Sequence, residues 1–376
     1  MTKTTRVTRT AVIFCSIDIY ANAIKPQKIK EHLNSKGFEV LLLNTSSLNR
    51  SGDSGVLQKL PGLSFHQLWS YLLEISYALA TISNSKFTKK YVGSILMTRI
   101  IKTRAILIYT KFKESDLDLI VCESNSDIGF VAMPRIARLQ ILDLPAPSAE
   151  EKFYGGEFTK KGFEKFKNFE ASLYAKADAL SFHWHSYEEF VRNTKYNGEN
   201  YISMGYGTEA KKLRAKFGSP YRVIFLGFLS GYWVNMPLLE RLCALYPHID
   251  VYGGPMPPKG SKINFKGYAP TLDVMADYQF GLTTITSDQL RCHSFSSKHL
   301  EYISYGLPVL TPDWRHDALL DNSSIYFNEE NFLTRIADYS NQKKWQNKSR
   351  QALNTARNLS WEKAFQELDV LINKTL

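Results

Sequence analysis

The chain has 376 residues, 44% of them apolar and 22% charged, with a formal net charge of +11. That composition excludes a low-complexity or disordered chain, and the length points to two domains rather than one core. Its four scattered cysteines (Cys15, Cys122, Cys243 and Cys292) have no Cys-x-x-Cys pair and no zinc-like spacing with histidine, which speaks for reduced thiols in a cytoplasmic setting.

The N-terminus, residues 1–10, is basic but leads directly into an apolar strand at Thr10 to Ser16, without a signal-peptide core. A helix at Ile24 to Gly37 and a strand at Phe38 to Leu43 follow, the opening of a doubly wound sheet. No Gly-x-Gly-x-x-Gly is present, so nothing here argues for a dinucleotide. Residues 45–62 form a polar loop and 65–113 two helices. Leu117 to Cys122 reads as a strand, Ile128 to Arg138 as a helix, and Leu139 to Leu142 as a strand ending at Asp143. Phe163, Phe166, Phe169 and Leu173 fall at helical spacing between Phe158 and Ala177, as a core stripe does. Ala179 to Phe182 and Tyr201 to Ser203 complete this first half.

Between Ile75 and Lys113 there are eight Lys or Arg and no Asp or Glu. Apolar residues interleave with them from Val92 to Ile108, so residues 86–113 read either as a basic amphipathic helix lying on an anionic membrane or as a solvated face over an ordinary core helix. No run spans a bilayer, since Tyr91 to Tyr109 is interrupted by Arg99, Lys102 and Arg104. No nucleic-acid module is recognisable.

The second half restarts with a strand at Tyr221 to Leu226 and a turn at Gly227. A helix at Val234 to Tyr246, a strand at Ile249–Tyr252 and the turn Gly253-Gly254-Pro255 come next. Phe265 to Tyr268 leads to a helix at Thr271–Ala276 and a strand at Gln279 to Thr283. Ser296-Ser297-Lys298-His299-Leu300-Glu301-Tyr302 opens a helix that Gly306 closes, and an apolar strand begins at Pro308. Leu300, Ile303 and Tyr305 would pack inward, leaving Lys298, Glu301 and Tyr302 outside the core. Free N–H groups and a lysine at a helix start suit a diphosphate, and a carboxylate one turn on suits a ribose diol. Gly227 would let backbone approach a phosphate, while Gly254 and Tyr268 would line the base.

The order of these turns, with Ser-Ser-Lys-x-x-Glu-Tyr-x-x-x-Gly-x-Pro-Val, resembles the donor half of GT-B glycosyltransferases. Within that group it is similar to bacterial polysaccharide-assembly enzymes such as the xanthan-type glucuronosyltransferases. The resemblance implies an α/β architecture of two Rossmann-like doubly wound domains facing across a cleft. Residues 1–210 would bind the acceptor and 211–355 the nucleotide sugar, with 356–376 a helix packing back on the first domain. It implies transfer from a UDP- or GDP-sugar to a carbohydrate or lipid-linked acceptor, with no cofactor and no metal required. The enzyme would be cytoplasmic, peripheral on the inner membrane face, with no nucleic-acid partner. The donor set becomes Gly227, Gly254, Tyr268, His293, Ser296, Ser297, Lys298 and Glu301.

Two points depart from the pattern or stay open. Many retaining members place a glutamate eight residues before the ribose glutamate, and here that position is His293, with Arg291 nearby. An inverting enzyme needs a general base. The resembling glucuronosyltransferases imply Asp143 for it, with Asp18, Glu123, His183 and His185 as competitors. An epimerase on the same architecture and a non-catalytic membrane scaffold are the rival functions.

Overall fold

The computed structural model describes residues 9–15, 24–44, 69, 72–73, 75–76, 92–112, 115–123 and 135–376. They divide into two compact units, residues 1–205 with 364–376, and residues 206–363. Asp18, Lys86, Lys89, Lys90 and most of the 45–91 segment lie outside the described residues, as does the greater part of the helix expected at Ile128 to Arg138.

In unit 1 a parallel sheet runs β2-β1-β3-β4-β5, from β1 (Arg9–Cys15), β2 (Phe38–Asn44), β3 (Leu117–Glu123), β4 (Ala137–Leu144) and β5 (Ala179–Phe182). Helix α1 (Ile24–Ser35) makes the first crossover, ended by Gly37 at φ 85°. The strands are near-continuous apolar runs because helices cover both faces of such a sheet. β4 begins at Ala137, so Ala137 and Arg138 are extended rather than helical. Its parallel ladder with β3, Leu117 opposite Ala137, takes their backbone groups. Tyr201 makes only an isolated bridge to Leu180, and no further strand forms there.

Helix α2 (Gly93–Phe112) buries Met97, Ile100, Ile101 and Ala105 and exposes Arg99 and Lys102. No described helix is long and apolar enough to cross a membrane. Helices α3 (Ser148–Tyr154), α4 (Lys160–Tyr174) and α5 (His185–Thr194) follow. Phe166 and Leu173 of the α4 stripe are buried in the core. Glu170, also buried, accepts the Ser148 and Ala149 N–H groups and pairs with Lys195, so one carboxylate caps α3 and anchors the end of α5.

Unit 2 carries a six-stranded parallel sheet in the order β11-β10-β9-β6-β7-β8. Its strands are β6 (Val223–Phe228), β7 (Ile249–Gly254), β8 (Asn264–Gly267), β9 (Phe280–Leu282), β10 (Val309–Pro312) and β11 (Ser324–Phe327). Helix α6 (Met236–Leu245) starts where the Asn235 side chain accepts the Leu238 N–H. Helix α7 (Ser297–Ser304) connects β9 to β10, and α8 (Phe332–Asp338) and α9 (Gln342–Asn358) close the unit. Residues Leu272–Asp277 form a 3₁₀ helix capped by Thr271. Gly227 lies within β6 opposite Gly253, not in a turn, because the β6–β7 ladder continues to Phe228.

The last segment is two helices, α10 (Trp361–Ala364) and α11 (Gln366–Thr375), not one. Residues 356–363 stay with unit 2. The Thr208 N–H donates to Leu359 O, and Trp361 packs on Tyr206 and seals off any side chain at Gly207. From residue 364 the chain belongs to unit 1. Asp369 there accepts from Lys36 and lies 2.7 Å from His32 Nε2, and Phe365 tilts against the His32 ring.

Candidate functional site

In unit 2 the strand order reverses between β6 and β9, and a parallel crossover puts the start of α7 at the carboxyl ends of the strands. Open α/β sheets take ligands at that place. Ser296 occupies the N-cap position, but its hydroxyl makes no cap hydrogen bond, so the first amides of α7 are left without that partner. Lys298 Nζ lies 2.8 and 2.9 Å from the two Glu301 oxygens. Ser296, Ser297, Lys298 and Glu301 are all half-buried, with side-chain exposures of 34% for Lys298 and 14% for Glu301. The ion pair holds both groups at the open end of the helix.

Tyr302 is core rather than site. Its hydroxyl accepts the Leu226 N–H at 2.7 Å and lies 3.3 Å from Leu282 O, and its ring fills the place of a side chain at Gly281. One tyrosine thus fastens α7 across β6 and β9. At the other end, Gly306 (φ 80°) and Leu307 donate to Ile303 O and Tyr302 O. This Schellman closure is the one the glycine predicts.

Gly227 meets Gly253 at the neighbouring strand ends, with Gly254 opposite Phe228. A side chain at Gly253 would strike Gly227 O, and one at Gly254 would strike the Tyr268 hydroxyl. Close backbone contact is therefore what these glycines provide. Tyr268 is 78% exposed and Phe228 55%, two aromatic rings open at the carboxyl end of the sheet. Arg291 is buried, hydrogen-bonded to the Tyr232 hydroxyl and placed over the Tyr232 and Trp233 rings. His293 ends the short 3₁₀ turn Arg291–His293 and is half-buried.

Unit 1 collects a second set at its own strand ends, where β3 ends at Glu123, β4 carries Asp143 beside Ser181 of β5, and His183 follows β5. Asp143 has no exposed surface and is closed over by Lys25, at 2.6 Å. Lys25, itself fully buried, also donates to Met204 O. Glu123 Oε1 lies 3.2 Å from His183 Nε2, and Asp143 lies 4.0 Å from it. Burial drives the Glu123 carboxyl well above its usual range, and the Asp143 charge adds to this. Burial also raises Asp143, with Lys25 offsetting part of the effect. His183 is held well below its usual range by burial and then by the Lys25 charge. The set is thus one buried ion pair beside a carboxyl and an imidazole whose charged forms burial disfavours. His183 is its most accessible member, with 11% side-chain exposure. His185 is exposed on α5.

A pH dependence follows. The folded chain keeps a proton on Glu123 that the unfolded chain releases near the ordinary carboxylate pKa, so stability from this group falls as pH rises between the two values. Glu123→Gln removes the loss. The variant's thermal midpoint should exceed that of the parent by a margin that grows from about pH 4 upward, then levels off above the folded pKa. A margin that is flat or shrinks with pH would disprove the assignment.

Sequence reasoning passed over Lys25 and the anchoring role of Tyr302. Lys25 looked like any helix-start lysine, and only its bonds to Asp143 and Met204 O, both far away in sequence, show why it is buried. Among the described residues no group of three or more His, Cys, Asp or Glu is placed to hold a metal ion.

No sequence-family profile matches the chain, and no curated protein matches it by sequence. Solved structures do. A sucrose-phosphate synthase from Thermosynechococcus elongatus matches with a TM-score of 0.68 at 10% identity, over 97% of this chain and 98% of that one. HepE of Anabaena, in complex with UDP-glucose, gives 0.60 at 12% identity over 97% and 99%. WaaB, a lipopolysaccharide outer core galactosyltransferase, gives 0.58 at 11% identity over 98% and 100%.

The fold is GT-B. Units 1 and 2 are the two Rossmann-like domains of that fold. Identities this low establish the GT-B architecture and leave the site to be argued from its own geometry.

Proposed function

We propose that the protein is a glycosyltransferase that moves a sugar from a UDP- or GDP-sugar to a carbohydrate or lipid-linked acceptor in glycoconjugate or polysaccharide synthesis. The observation that carries this is the start of α7 in a GT-B unit: an uncapped turn with Lys298 and Glu301 paired and half-exposed at the carboxyl ends of β6 and β9. A diphosphate arriving there takes the α7 amides and draws Lys298 off Glu301, freeing the carboxylate for the ribose hydroxyls. Gly227 and Gly254 let the ligand approach the backbone, Tyr268 packs on the base, and His293 lies within the loop that leads to Ser296. As the sugar leaves, Lys298 and the amides stabilise the charge growing on the diphosphate. With that charge met by protein groups, the transfer calls for no metal or other cofactor.

Unit 1 takes the acceptor in this reading, and its strand-end cluster supplies the base. Asp143 is that base only if Lys25 moves away from it. His183, neutral and more accessible, is the competitor that needs no such movement. Of the proteins compared, one is named a synthase and another a galactosyltransferase, and neither name supports an epimerase. A thermal-shift panel of UDP- and GDP-sugars tests the reading. One nucleotide family should raise the melting temperature at millimolar ligand while free hexoses do not. No shift with any member would end it.

The same proposal places the protein in the cytoplasm, peripheral on the inner face of the membrane through residues 86–113. Each lysine near an anionic surface contributes about 1 kcal/mol. Reversing Lys89, Lys90 and Lys102 together should therefore release the protein from anionic vesicles in co-sedimentation. Unchanged sedimentation would discard the membrane assignment.

A further inference from the structure

Helix α9 has two faces. Trp345, Ser349, Ala352 and Ala356 are buried in unit 2. Lys344, Asn347, Lys348 and Gln351 form another stripe at i, i+3, i+4 and i+7. That stripe lines a groove of about 600 Å³ whose other walls include Tyr326 of β11 and Arg335 of α8. The volume lies in the range of small-molecule sites, about 300–1,000 Å³. Among the described residues β11 is the terminal strand of its sheet and pairs with β10 alone, so the groove lies beside the last strand of that sheet.

The wall is cationic. Arg335, Lys344 and Lys348 face a single lining carboxylate, Asp338, which lies 3.7 Å from Arg335. Lys348 is half-buried, its Nζ 3.4 Å from the backbone O of Asp321, and burial lowers its pKa. The Asp321 carboxylate is occupied by the Tyr326 hydroxyl, with His316 at 3.9 Å. Asn347 and Gln351 add amides that both donate and accept, as sugar hydroxyls require.

Helix α7 is tied to the residue that precedes the groove lining on β11. Ser323, next to the lining residue Ser324, lies with its hydroxyl 2.9 Å from Nε2 of His299, which is buried on that helix. The same hydroxyl donates to Leu320 O, so His299 is the donor to Ser323. Burial, then the charges of Arg315 and Lys348, hold His299 at about 3.

We propose that this groove binds an anionic hexose, carrying a phosphate or a carboxylate, and that its occupancy is transmitted to α7 through Ser323, the neighbour of the lining residue Ser324, and His299. Only the naming of α7 as the donor helix rests on the glycosyltransferase reading. The test titrates the full chain, with isotope-labelled histidine, against glucose 1-phosphate in one arm, glucuronate in a second and glucose in a third. His299 is assigned through His299→Gln.

At least one charged probe should bind saturably and move the His299 ring resonances, with glucose at least about tenfold weaker. The arm that binds tells phosphate from carboxylate. Lys344→Glu with Lys348→Glu should abolish binding. Asn347→Asp, at an exposed position that leaves both lysines in place, should weaken it about tenfold. Lys343→Glu, a single charge reversal off the stripe, should leave it within about twofold. Failure of both charged probes, or equal loss in Lys343→Glu, would overturn the site. Saturable binding without movement at His299 would overturn the transmission. A separate UDP titration fails or succeeds independently, so the donor reading and the groove are judged apart.

Discussion

Lys298→Ala should weaken UDP or GDP binding by about tenfold to a hundredfold in calorimetry, the range of a hydrogen bond to a charged group, about 1.5–3 kcal/mol. Lys298 is engaged with Glu301 at 2.8 Å. A single i, i+3 pair of this kind contributes little to stability, so the variant should fold normally and the loss should appear in binding. Glu301→Ala should produce a comparable loss by removing the ribose acceptor. The two can be separated by ligand. With the nucleoside alone, which carries no phosphate, the Lys298→Ala defect should vanish and the Glu301→Ala defect should persist. The salt dependence of diphosphate binding should also flatten in Lys298→Ala. Full affinity in both variants would remove the donor site from α7 altogether.

The second large effect is on stability. Gly253 has φ 136°, and a β-carbon there would stand 1.8 Å from Gly227 O. Gly253→Ala therefore combines backbone strain with a clash against a strand that cannot yield, since β6 is held on its other side by β9. The sum is about 3–5 kcal/mol, enough to lower the unfolding midpoint of unit 2 by roughly 10 °C. Gly260→Ala is the control, because Gly260 has φ 91° but nothing within 4 Å of the added carbon. It carries the strain alone and should cost about 1–2 kcal/mol. Equal losses in the two variants would mean that the β6–β7 approach is not tight.

How much of this was legible depended on whether a residue's neighbours in sequence are also its neighbours in space. The start and end of α7 were legible, because Ser296 and Gly306 act on backbone within one turn of themselves. The apolar runs of β1, β3, β6 and β7 were legible for a similar reason. β8 and β11 were not read as strands. Each has only four residues, and their pairing with β7 and β10 is decided by the sheet rather than by local pattern. Tyr302 looked available beside Lys298 and Glu301, yet its hydroxyl is satisfied by β6 and β9, far away in sequence. Arg291 is the same case, a cation drawn inward by Tyr232 and Trp233.

By itself the sequence determined the alternation of apolar strands and helices, and with it two doubly wound units and a diphosphate-compatible turn before a carboxylate. Those features are local, since period, capping and glycine conformation act over a few residues. Only the tertiary structure decided that Lys25 seals Asp143, that burial raises the Glu123 pKa and lowers that of His183, and that residues 356–363 stay with unit 2 while 364–376 join unit 1. The reason is physical: burial and charge proximity belong to positions in space, and a side chain's protonation and partners are set by what the fold packs around it.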